Sequence, residues 1–420
     1  MGKARRRRDG RSASCPAAGR PDNRSPERHV AAEFTRGEPM AGAGLVVVGS
    51  GPAAVAAAGA YRDAQGDGPV RLVTEDPDLP YERPRLSKDV LRGDTPVVDT
   101  VLHDPQFYRD RDIELVLSSR VTELRPDSRA VLLADGRAMD FATCVLATGS
   151  TPVRPDIPGA RHAHVLRSRR DAIDLVDAAE RAATAVVVGS GFVGCEAAAS
   201  LAGRGVAVTL VSHVLPQQRR LGAWVSRRIA EWLHQDGVRL RVGDDVSAIA
   251  PDHVLTSAGQ RLPADLVLLA TGVTPRAELA AAAGLSLSDG RISVSADMRT
   301  SHPAVLAAGD VVFARNTAAG RSLTVEHWGD ADAMGEVAGR TAAGLTAEWA
   351  QPPGFWSTIG SRTLKYTAWG DGYDEVDIDD DGDGFTVRYG RHGELVGVLT
   401  HHRDEDYERG QGEVARRSPW

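Results

Sequence analysis

Cysteine is scarce in this sequence of 420 residues, in which only Cys15, Cys144 and Cys195 occur. None of them stands in a CxxC or similar pair, which excludes a disulfide framework and a cysteine-based zinc site. So few cysteines fit a reducing compartment, and we expect a cytoplasmic protein. Long apolar runs are missing as well, since no stretch approaches the roughly 18 residues that a membrane helix needs. We therefore expect no membrane contact and no metal site.

Hydrophobic periodicity is absent from the first 40 residues, which are rich in Arg, Pro and Ser. They hold ten Lys and Arg against five Asp and Glu, whereas the whole chain has a net charge of −7. The run Arg5–Arg8 suggests a nucleic-acid patch or a twin-arginine signal, but no apolar region follows it, as an export signal requires. We expect residues 1–41 to be a disordered basic leader that binds no nucleic acid, or an over-extended start upstream of Met40.

One hexapeptide, VVVGSG, occurs twice, at Val46–Gly51 and at Val186–Gly191. In each copy a continuous apolar run ends in glycine, as a buried parallel strand does, and an alanine-rich segment follows that is typical of a helix. A second apolar run completes each unit, namely VRLVTE in the first and VAVTLVSH in the second. Each copy is therefore predicted to be a βαβ unit that binds a dinucleotide.

The first unit carries Gly49, Gly51 and Ala54 in a GxGxxA pattern. The first glycine permits a tight turn, the second lets the backbone approach a pyrophosphate, and the small third residue lets the helix pack on the strand. The N-terminus of the helix then offers free N–H groups to the phosphates. Glu75 ends the next strand and is placed to bind ribose hydroxyls. The alternative is a plain strand–helix turn.

The second unit carries Gly189, Gly191 and Gly194, but its second strand ends in Ser212, where NAD-binding sites usually have a carboxylate. An acid there binds the 2′-hydroxyl of NAD and repels the 2′-phosphate of NADP, whereas a hydroxyl with nearby arginines does the reverse. Arg219 and Arg220 follow shortly, so we expect NADPH rather than NADH. The alternative is that both arginines are solvated residues flanking a helix.

The two halves also share an A-T-G turn after a buried strand, in Phe141–Pro152 and Ala264–Pro275. Together with the stretches GSGPAA, PYERPRLSK, LAAGD and VEHWGDA, these turns make residues 44–350 clearly similar to a known protein family. The similarity continues, more weakly, through PGFWS. The chain resembles two-dinucleotide flavoproteins of the pyridine nucleotide-disulfide oxidoreductase family, and within it the bacterial ferredoxin reductases and the related apoptosis-inducing factors.

This resemblance implies an α/β fold with two Rossmann-like dinucleotide-binding domains, one for FAD and one for NAD(P), and a small α+β C-terminal domain. We expect the FAD-binding domain in two parts, residues 42–153 and 273–350, with the NAD(P)-binding domain at 154–272 between them. Residues 351–420 alternate aromatic and β-branched runs with Gly/Asp turns, which predicts a small antiparallel domain.

The resemblance also assigns site residues. Those expected to hold FAD are Gly49, Gly51, Pro52, Ala53, Ala54, Glu75, Arg83, Lys88, Val121, Ala147, Thr148, Gly149, Gly309, Asp310, His327 and Trp328. Those expected to hold the nicotinamide dinucleotide are Gly189, Gly191, Phe192, Val193, Gly194, Glu196, Ser212, Arg219, Arg220, Thr271 and Gly272. Lys88, Glu196 and Trp328 are the candidate catalytic residues, with Glu196 near the nicotinamide carboxamide and paired with Lys88. Glu196 could equally be a simple dipole partner of its helix.

Disulfide reductases of this family carry a redox cysteine pair, and the stretch RPRLSKDVL has no cysteine. Cys195 follows Gly194 where a helix should pack on its sheet, which favours a buried, inert thiol. Electrons are therefore expected to leave the flavin directly.

An acidic segment near the C-terminus matches the opening of an EF-hand calcium loop at Asp377, Asp379 and Asp381. Position 12 is Arg388 instead of Glu, and the flanks predict strands, so we interpret DIDDDGDG as an acidic hairpin turn. Eight acids lie between Asp371 and Asp383, and ferredoxins are usually acidic too. Either this segment points away from the docking face or the acceptor is another molecule.

The predicted activity is that of an FAD-dependent NAD(P)H oxidoreductase. NAD(P)H gives a hydride to the flavin, which then passes single electrons to a ferredoxin or similar small redox protein. One alternative is an NAD(P)H oxidase or a small-molecule or quinone reductase; another is a redox-sensing interaction protein. A monomer or a homodimer is expected.

Overall fold

The first apolar run of the chain forms the centre of a seven-stranded sheet in the computed structural model, which describes residues 43–420. The predicted leader, residues 1–41, lies outside the described residues. The strands of this sheet are β1 (Gly44–Val48), β2 (Val70–Val73), β3 (Ile113–Val116), β4 (Val121–Arg125), β5 (Ala130–Leu133), β6 (Ala138–Leu146) and β18 (Val305–Ala307). The first three strands, β18 and the end of β6 run parallel, and β4, β5 and the start of β6 form an antiparallel extension.

The second copy of the hexapeptide enters a separate sheet of four parallel strands in the order β10–β9–β8–β14. These strands are β8 (Thr184–Val188), β9 (Ala207–Ser212), β10 (Arg239–Val242) and β14 (Leu266–Leu269). A three-stranded antiparallel sheet is inserted before β14 and consists of β11 (Val246–Ile249), β12 (His253–Thr256) and β13 (Arg261–Pro263). Two Rossmann-like units are therefore present, as the repeated hexapeptide predicts.

The two A-T-G turns meet where the chain passes between these sheets. Strands β7 (Ser150–Pro152) and β15 (Val273–Pro275) pair antiparallel, and the turns brace each other reciprocally. The hydroxyl of Thr148 donates to the carbonyl of Arg276 at 2.6 Å, and the hydroxyl of Thr271 donates to the carbonyl of Val153 at 2.9 Å. The echo in the sequence thus corresponds to one two-stranded connection.

The remaining strands form two sheets. One has the order β16–β17–β19–β20 and consists of β16 (Leu287–Ser288), β17 (Arg291–Val294), β19 (Val312–Asn316) and β20 (Arg321–Leu323). The other is the predicted antiparallel C-terminal sheet, in the order β21–β22–β25–β24–β23, made of β21 (Gly354–Ile359), β22 (Arg362–Ala368), β23 (Glu375–Asp380), β24 (Phe385–Arg391) and β25 (Glu394–His401). The first half of DIDDDGDG, Asp377–Asp380, lies in strand β23, and the turn of the hairpin follows at residues 381–384.

The α-helices cover the sheets and position the site. They are α1 (Pro52–Asp63), α2 (Pro105–Asp110), α3 (Arg169–Ala179), α4 (Phe192–Gly203), α5 (Gln218–Gln235, interrupted at Gly222), α6 (Glu278–Ala282), α7 (Trp328–Ala342) and α8 (Asp404–Ala415). No helix within residues 43–420 is long and apolar enough to cross a membrane.

Helices α1 and α7 pack so closely that their contact requires glycine. A Cβ on Gly335 would overlap the backbone of Ala53, and one on Gly339 would overlap the backbone of Ala57. Both pairs are four residues apart in the same direction, so the two helices run parallel. Their N-termini, at Pro52 and Trp328, therefore lie at the same end of the molecule, although 276 positions separate them in the sequence.

Candidate cofactor-binding cavity

The N-termini of α1 and α7 open onto one large cavity of about 1310 Å³. It extends from the ends of β1 and β2 to the first turn of α4, so both dinucleotide units and the start of the C-terminal sheet contribute to its wall. The predicted site residues that line it are Gly49, Gly51, Pro52, Ala53, Glu75, Arg83, Lys88, Val121, Ala147, Thr148, Gly149, Phe192, Val193, Glu196, Gly309, Asp310, His327 and Trp328.

The remaining predicted residues lie outside the lining of this cavity. Ala54 is fully buried under the turn it was predicted to pack. The others belong to the second unit and its A-T-G turn, and they are Gly189, Gly191, Gly194, Ser212, Arg219, Arg220, Thr271 and Gly272. The second unit therefore reaches the cavity through α4 rather than through its glycines.

The glycine turn of the first unit fits a pyrophosphate. Gly49 has φ +133°, and a Cβ there would overlap the carbonyl oxygen of Ala147, so protein atoms alone require this glycine. Gly51 has an ordinary φ of −79°, and a Cβ there would meet no protein atom within 4 Å. Neither strain nor packing explains it, whereas a phosphate held against the N-terminus of α1 does.

The second glycine turn repeats this geometry. Gly189 has φ +104° and abuts the carbonyl of Ala270, while Gly191 has φ −67° and open space beside it. The third position differs, because a Cβ on Gly194 would overlap the carbonyl oxygen of Gly189. The second helix therefore packs more closely on its turn than the first, which carries Ala54.

A buried ion pair joins the two units at the cavity wall. The Lys88 ammonium lies 2.8 Å from Oε2 of Glu196, and both residues are less than 10% exposed. The hydroxyl of Ser87 donates to the same oxygen at 2.5 Å, and that of Ser357 donates to Oε1 at 2.7 Å. Lys88 lies in a π-helical turn, Leu86–Val90, a feature often found at functional sites. The predicted pairing of Lys88 with Glu196 is thus present in the geometry, whereas Ser87 and Ser357 were not predicted.

Asp310 lies at the far wall, where two donors hold it. Its Oδ2 accepts from the hydroxyl of Ser150 at 2.8 Å and from Arg167 at 2.9 Å. The carbonyl of Arg167 in turn accepts from the guanidinium of Arg83 at 3.1 Å. Burial, followed by the charge of Arg167, lowers the pKa of Arg83 from its usual value. Arg167 was not singled out in the sequence, because no glycine turn or A-T-G turn marks its position.

His327 connects three parts of the chain. The guanidinium of Arg220 lies 3.3 Å from Nε2 and can only donate, so Nδ1 carries the proton and donates to Asp330 at 3.1 Å. Asp330 is buried and also accepts from the backbone N–H of Gly354 at 3.1 Å. Arg220 also lies 6.0 Å from the ring centroid of Phe355. Arg220 is therefore directed at the cavity mouth and not at Ser212, where the prediction needs it.

The ribose-binding positions of the two units differ in chemistry. Glu75 lines the cavity at the strand end, where its carboxylate lies 2.6 Å from Arg276 and 3.7 Å from Arg120. Ser212 is buried, and its hydroxyl donates to the carbonyl of Val214 at 2.7 Å. Beside it, the exposed His213 pairs with Asp245 at 2.6 Å. A carboxylate that the sequence analysis missed therefore stands near the end of β9, supplied by the loop after β10.

The two described thiols are unsuited to redox chemistry. Cys144 in strand β6 and Cys195 in helix α4 are free and completely buried. Burial raises the pKa of Cys144 to about 12 and raises the pKa of Cys195 well above its usual range. Because the thiolate is the reactive form, neither residue is a candidate nucleophile.

Most carboxylates of the acidic segment lie within salt-bridge distance of arginine or histidine side chains. Six of its eight acids form such pairs, namely Asp371 with Arg321, Asp374 with His392, Asp377 with Arg388, Asp379 and Asp381 with Arg403, and Asp380 with Arg228. Arg403 occupies the place where an EF-hand would hold its ion. Within residues 43–420, no group of three or more His, Cys, Asp or Glu side chains could hold a metal.

Comparison with known proteins tests the family that the sequence motifs predict. The chain is 31% identical over 382 residues to a ferredoxin–NAD(P)+ reductase of Sphingomonas, covering 87% of this chain and 91% of that protein. It is 32% identical over 346 residues to putidaredoxin reductase of Pseudomonas putida, covering 79% and 82%. A solved complex of putidaredoxin reductase with putidaredoxin superposes with a TM-score of 0.85 at 29% identity, over 90% of this chain and 94% of that one.

A family model for pyridine nucleotide-disulphide oxidoreductases matches residues 43–335, which is well over half of the chain. The match runs from the first strand through the N-terminal half of α7 and so includes both glycine turns. Together with the two relatives above 30% identity, it confirms the predicted family and the predicted α/β fold with two dinucleotide units. The chain belongs to the pyridine nucleotide-disulphide oxidoreductase family.

Proposed function

We propose that this protein is an FAD-dependent NAD(P)H oxidoreductase that passes electrons singly to a ferredoxin-type protein. One observation carries the proposal: the glycine turn of the first unit and the first turn of α4 from the second unit open onto the same cavity. A cavity of that kind can bring the reactive ends of two dinucleotides together. FAD supplies the chemistry when bound, since it can accept a hydride and release electrons one at a time.

The first unit and its late return segment would hold FAD. Gly49, Gly51 and the N-terminus of α1 cradle the pyrophosphate, and Glu75 binds the adenosine ribose. Asp310 stands ready for the polar chain between pyrophosphate and ring, held in place by Ser150 and Arg167. His327 and Trp328 begin α7 at the wall of the same cavity, where a flat ring system can rest against them.

The second unit would hold NAD(P)H, with Gly191 receiving its pyrophosphate and α4 presenting Phe192, Val193 and Glu196 to its reactive end. Lys88 contributes a positive charge at the wall, and Glu196 keeps that charge satisfied and fixed in position. A fixed cation beside the flavin ring favours its reduced, anionic form. These residues thus position the nucleotide and supply the electrostatic environment of its reactive end. The rings of Phe192 and Phe355, whose centroids are 4.4 Å apart, exclude water from one side of the cavity mouth.

NADPH remains our preferred coenzyme, with NADH as the alternative. The absence of a carboxylate at Ser212 supports NADPH, and so does the exposed Arg219. Arg220 gives no support, because it contacts His327 and Phe355. Asp245 favours NADH, although His213 already contacts one of its carboxylate oxygens at 2.6 Å. The balance therefore depends on His213 and Asp245 as much as on Ser212.

A ferredoxin-type acceptor is supported by the relatives, which are named as ferredoxin and putidaredoxin reductases. The acidic segment Asp371–Asp383 is a weaker obstacle to an acidic partner than its composition suggests, because most of its carboxylates are paired. We propose the domain division given above, a cytoplasmic location, and action as a monomer or homodimer.

The test is an anaerobic titration of the purified protein. We expect a yellow protein whose visible absorption bleaches with NADPH at lower concentration than with NADH. Adding a ferredoxin and cytochrome c should then give cytochrome reduction that requires both NADPH and the ferredoxin. A protein that takes up no FAD, or one that consumes oxygen at the same rate with and without ferredoxin, contradicts the proposal.

A further inference from the structure

The carboxylate of Glu196 has its two oxygens divided between different parts of the chain. Oε2 accepts from Ser87 and Lys88, which lie in the segment after the first unit. Oε1 accepts from the hydroxyl of Ser357 at 2.7 Å, which lies in the first strand of the C-terminal sheet. Glu196 itself comes from the second unit. One carboxylate therefore joins three separate segments of the chain.

Strand β21 delivers Ser357 to this position through its alternation. Phe355, Ser357 and Ile359 point inward and are buried, while Trp356 between them is 47% exposed. Pairing with β22 places Ser357 opposite Leu364, whose side chain is completely buried. Ser357 is only 1% exposed, so its hydroxyl has been placed in an apolar interior, where a polar group is costly unless it is hydrogen-bonded.

A buried carboxylate keeps its charge and its orientation only while donors face both of its oxygens. Without the hydroxyl of Ser357, Oε1 would have no hydrogen-bond donor among the described residues. The carboxylate would then be free to rotate, and the Lys88 ammonium at the cavity wall would lose its fixed partner. The effect of Ser357 on the cavity is thus transmitted through Glu196.

We propose that Ser357 is a positioning residue for the Lys88–Glu196 pair, through which the C-terminal sheet sets the charge that NAD(P)H meets at the flavin. This inference rests on the proposed function, because it assigns Glu196 to the nucleotide site. It gives the C-terminal sheet a role in hydride delivery in addition to any role in contacting an electron acceptor.

The experiment measures the affinity of the oxidised flavoprotein for NADP+ and NAD+, from the change each causes in the visible spectrum. Ser357→Ala removes the hydroxyl, and Ser226→Ala is the matched control, since Ser226 is equally buried and donates to the carbonyl of Pro216 at 2.7 Å. Ser357→Thr and Ser357→Val form a second pair of nearly equal shape, of which only the threonine keeps a hydroxyl.

We expect Ser357→Ala to weaken binding of the better nucleotide about tenfold, the scale of a hydrogen bond to a charged group. Ser226→Ala should bind as the wild type does. Ser357→Thr should bind at least fivefold more tightly than Ser357→Val, which keeps the test valid even if the alanine variant folds poorly.

A double-mutant cycle with Glu196→Gln decides whether Ser357 acts through Glu196. In that background, removing the Ser357 hydroxyl should change affinity by less than about twofold. An equal loss in both backgrounds, equal binding by the Thr and Val variants, or a loss no greater than that of Ser226→Ala would overturn the inference. In those cases the wild type still binds FAD and responds to nucleotide, so the proposed function stands. A wild type without FAD or without a spectral response overturns both.

Discussion

The two dinucleotide units of this molecule have the same glycine turn but use it in different surroundings. In both, the first glycine has a positive φ and abuts a carbonyl oxygen, and the second has ordinary backbone geometry with open space beside it. The first turn lies inside the cavity, under the return helix α7, which Gly335 and Gly339 bring against α1. The second turn lies outside the cavity lining, and its unit reaches the cavity through α4.

This difference matches two kinds of ligand. An enclosed cradle with the Glu75 carboxylate at its wall and a return segment carrying Asp310 and His327 suits a cofactor that stays bound. The second cradle is open, and its strand ends in Ser212, whose hydroxyl donates to the carbonyl of Val214. Such a cradle suits a nucleotide that enters and leaves at each turnover. We therefore propose that the same local sequence forms a resident site in one half and an exchange site in the other, because different segments cover it.

The largest expected effect on ligand binding comes from filling each cradle in turn. The Cβ of a Gly51→Val variant would meet no protein atom within 4 Å, so the protein should fold but lose FAD affinity by roughly 100-fold. Gly191→Val should keep FAD and lose NAD(P)+ affinity by a similar factor. The FAD content of the purified variants and a nucleotide titration measure both. Equal loss of both ligands in the two variants would contradict the division between resident and exchange sites.

The ion pair between Lys88 and Glu196, which joins the two halves, gives the largest expected effect on folding stability. Lys88→Met leaves the Glu196 carboxylate buried without its cation and should reduce the free energy of unfolding by about 3–5 kcal/mol. The double variant Lys88→Met with Glu196→Gln should regain much of that loss, since no buried charge is left unpaired. Denaturant unfolding of the apoproteins measures this. Simple additivity of the two changes would show that the pair is not coupled.

Coenzyme preference should respond more modestly. Ser212→Glu restores a carboxylate at the end of β9 and should shift the ratio of kcat/KM toward NADH by about tenfold. Asp245→Asn should shift the ratio toward NADPH, because it removes a negative charge close to the same strand end. Steady-state assays with both coenzymes give the ratios. Unchanged ratios in both variants would remove the argument for discrimination at this position.

The smallest expected effect concerns the thiols, one in each half. Because burial raises the pKa of both Cys144 and Cys195, the native protein holds them as neutral thiols at pH 8, and neither should react with iodoacetamide within hours. Unfolding brings the pKa back to its ordinary value, so labelling at the same pH becomes fast. Peptide mapping distinguishes these residues from Cys15. Rapid native labelling of Cys195, with loss of activity, would reopen thiol chemistry.

Much of the fold is predictable from the chain because local signals agree with one another. An apolar run, a glycine turn and an alanine-rich helix specify each βαβ unit without knowledge of the rest. The two A-T-G echoes correctly indicate related halves, although the sequence does not show that Thr148 and Thr271 brace each other. The Lys88–Glu196 contact across 108 positions followed from family resemblance and not from any local pattern.

The site residues that could not be predicted from the sequence are positioned by long-range packing. Arg220 lies close to Ser212 in the chain, yet the backbone turn before Gly222 directs it to His327. Arg167, Arg276 and Ser357 carry no local signal, because an arginine or serine in a loop or strand is ordinary. Asp245 was not predicted because it lies in the loop after β10, and the pairing of β9 with β10 is visible only in the folded sheet.

The most direct measurement is a crystal structure of the protein with FAD and NADP+ bound together. We predict that the FAD pyrophosphate lies at Gly51 and the NADP+ pyrophosphate at Gly191. The nicotinamide should stack on the flavin ring beside Lys88 and Glu196. Pyrophosphates in those two positions with the rings in separate openings, or FAD bound away from Gly51, would contradict this prediction.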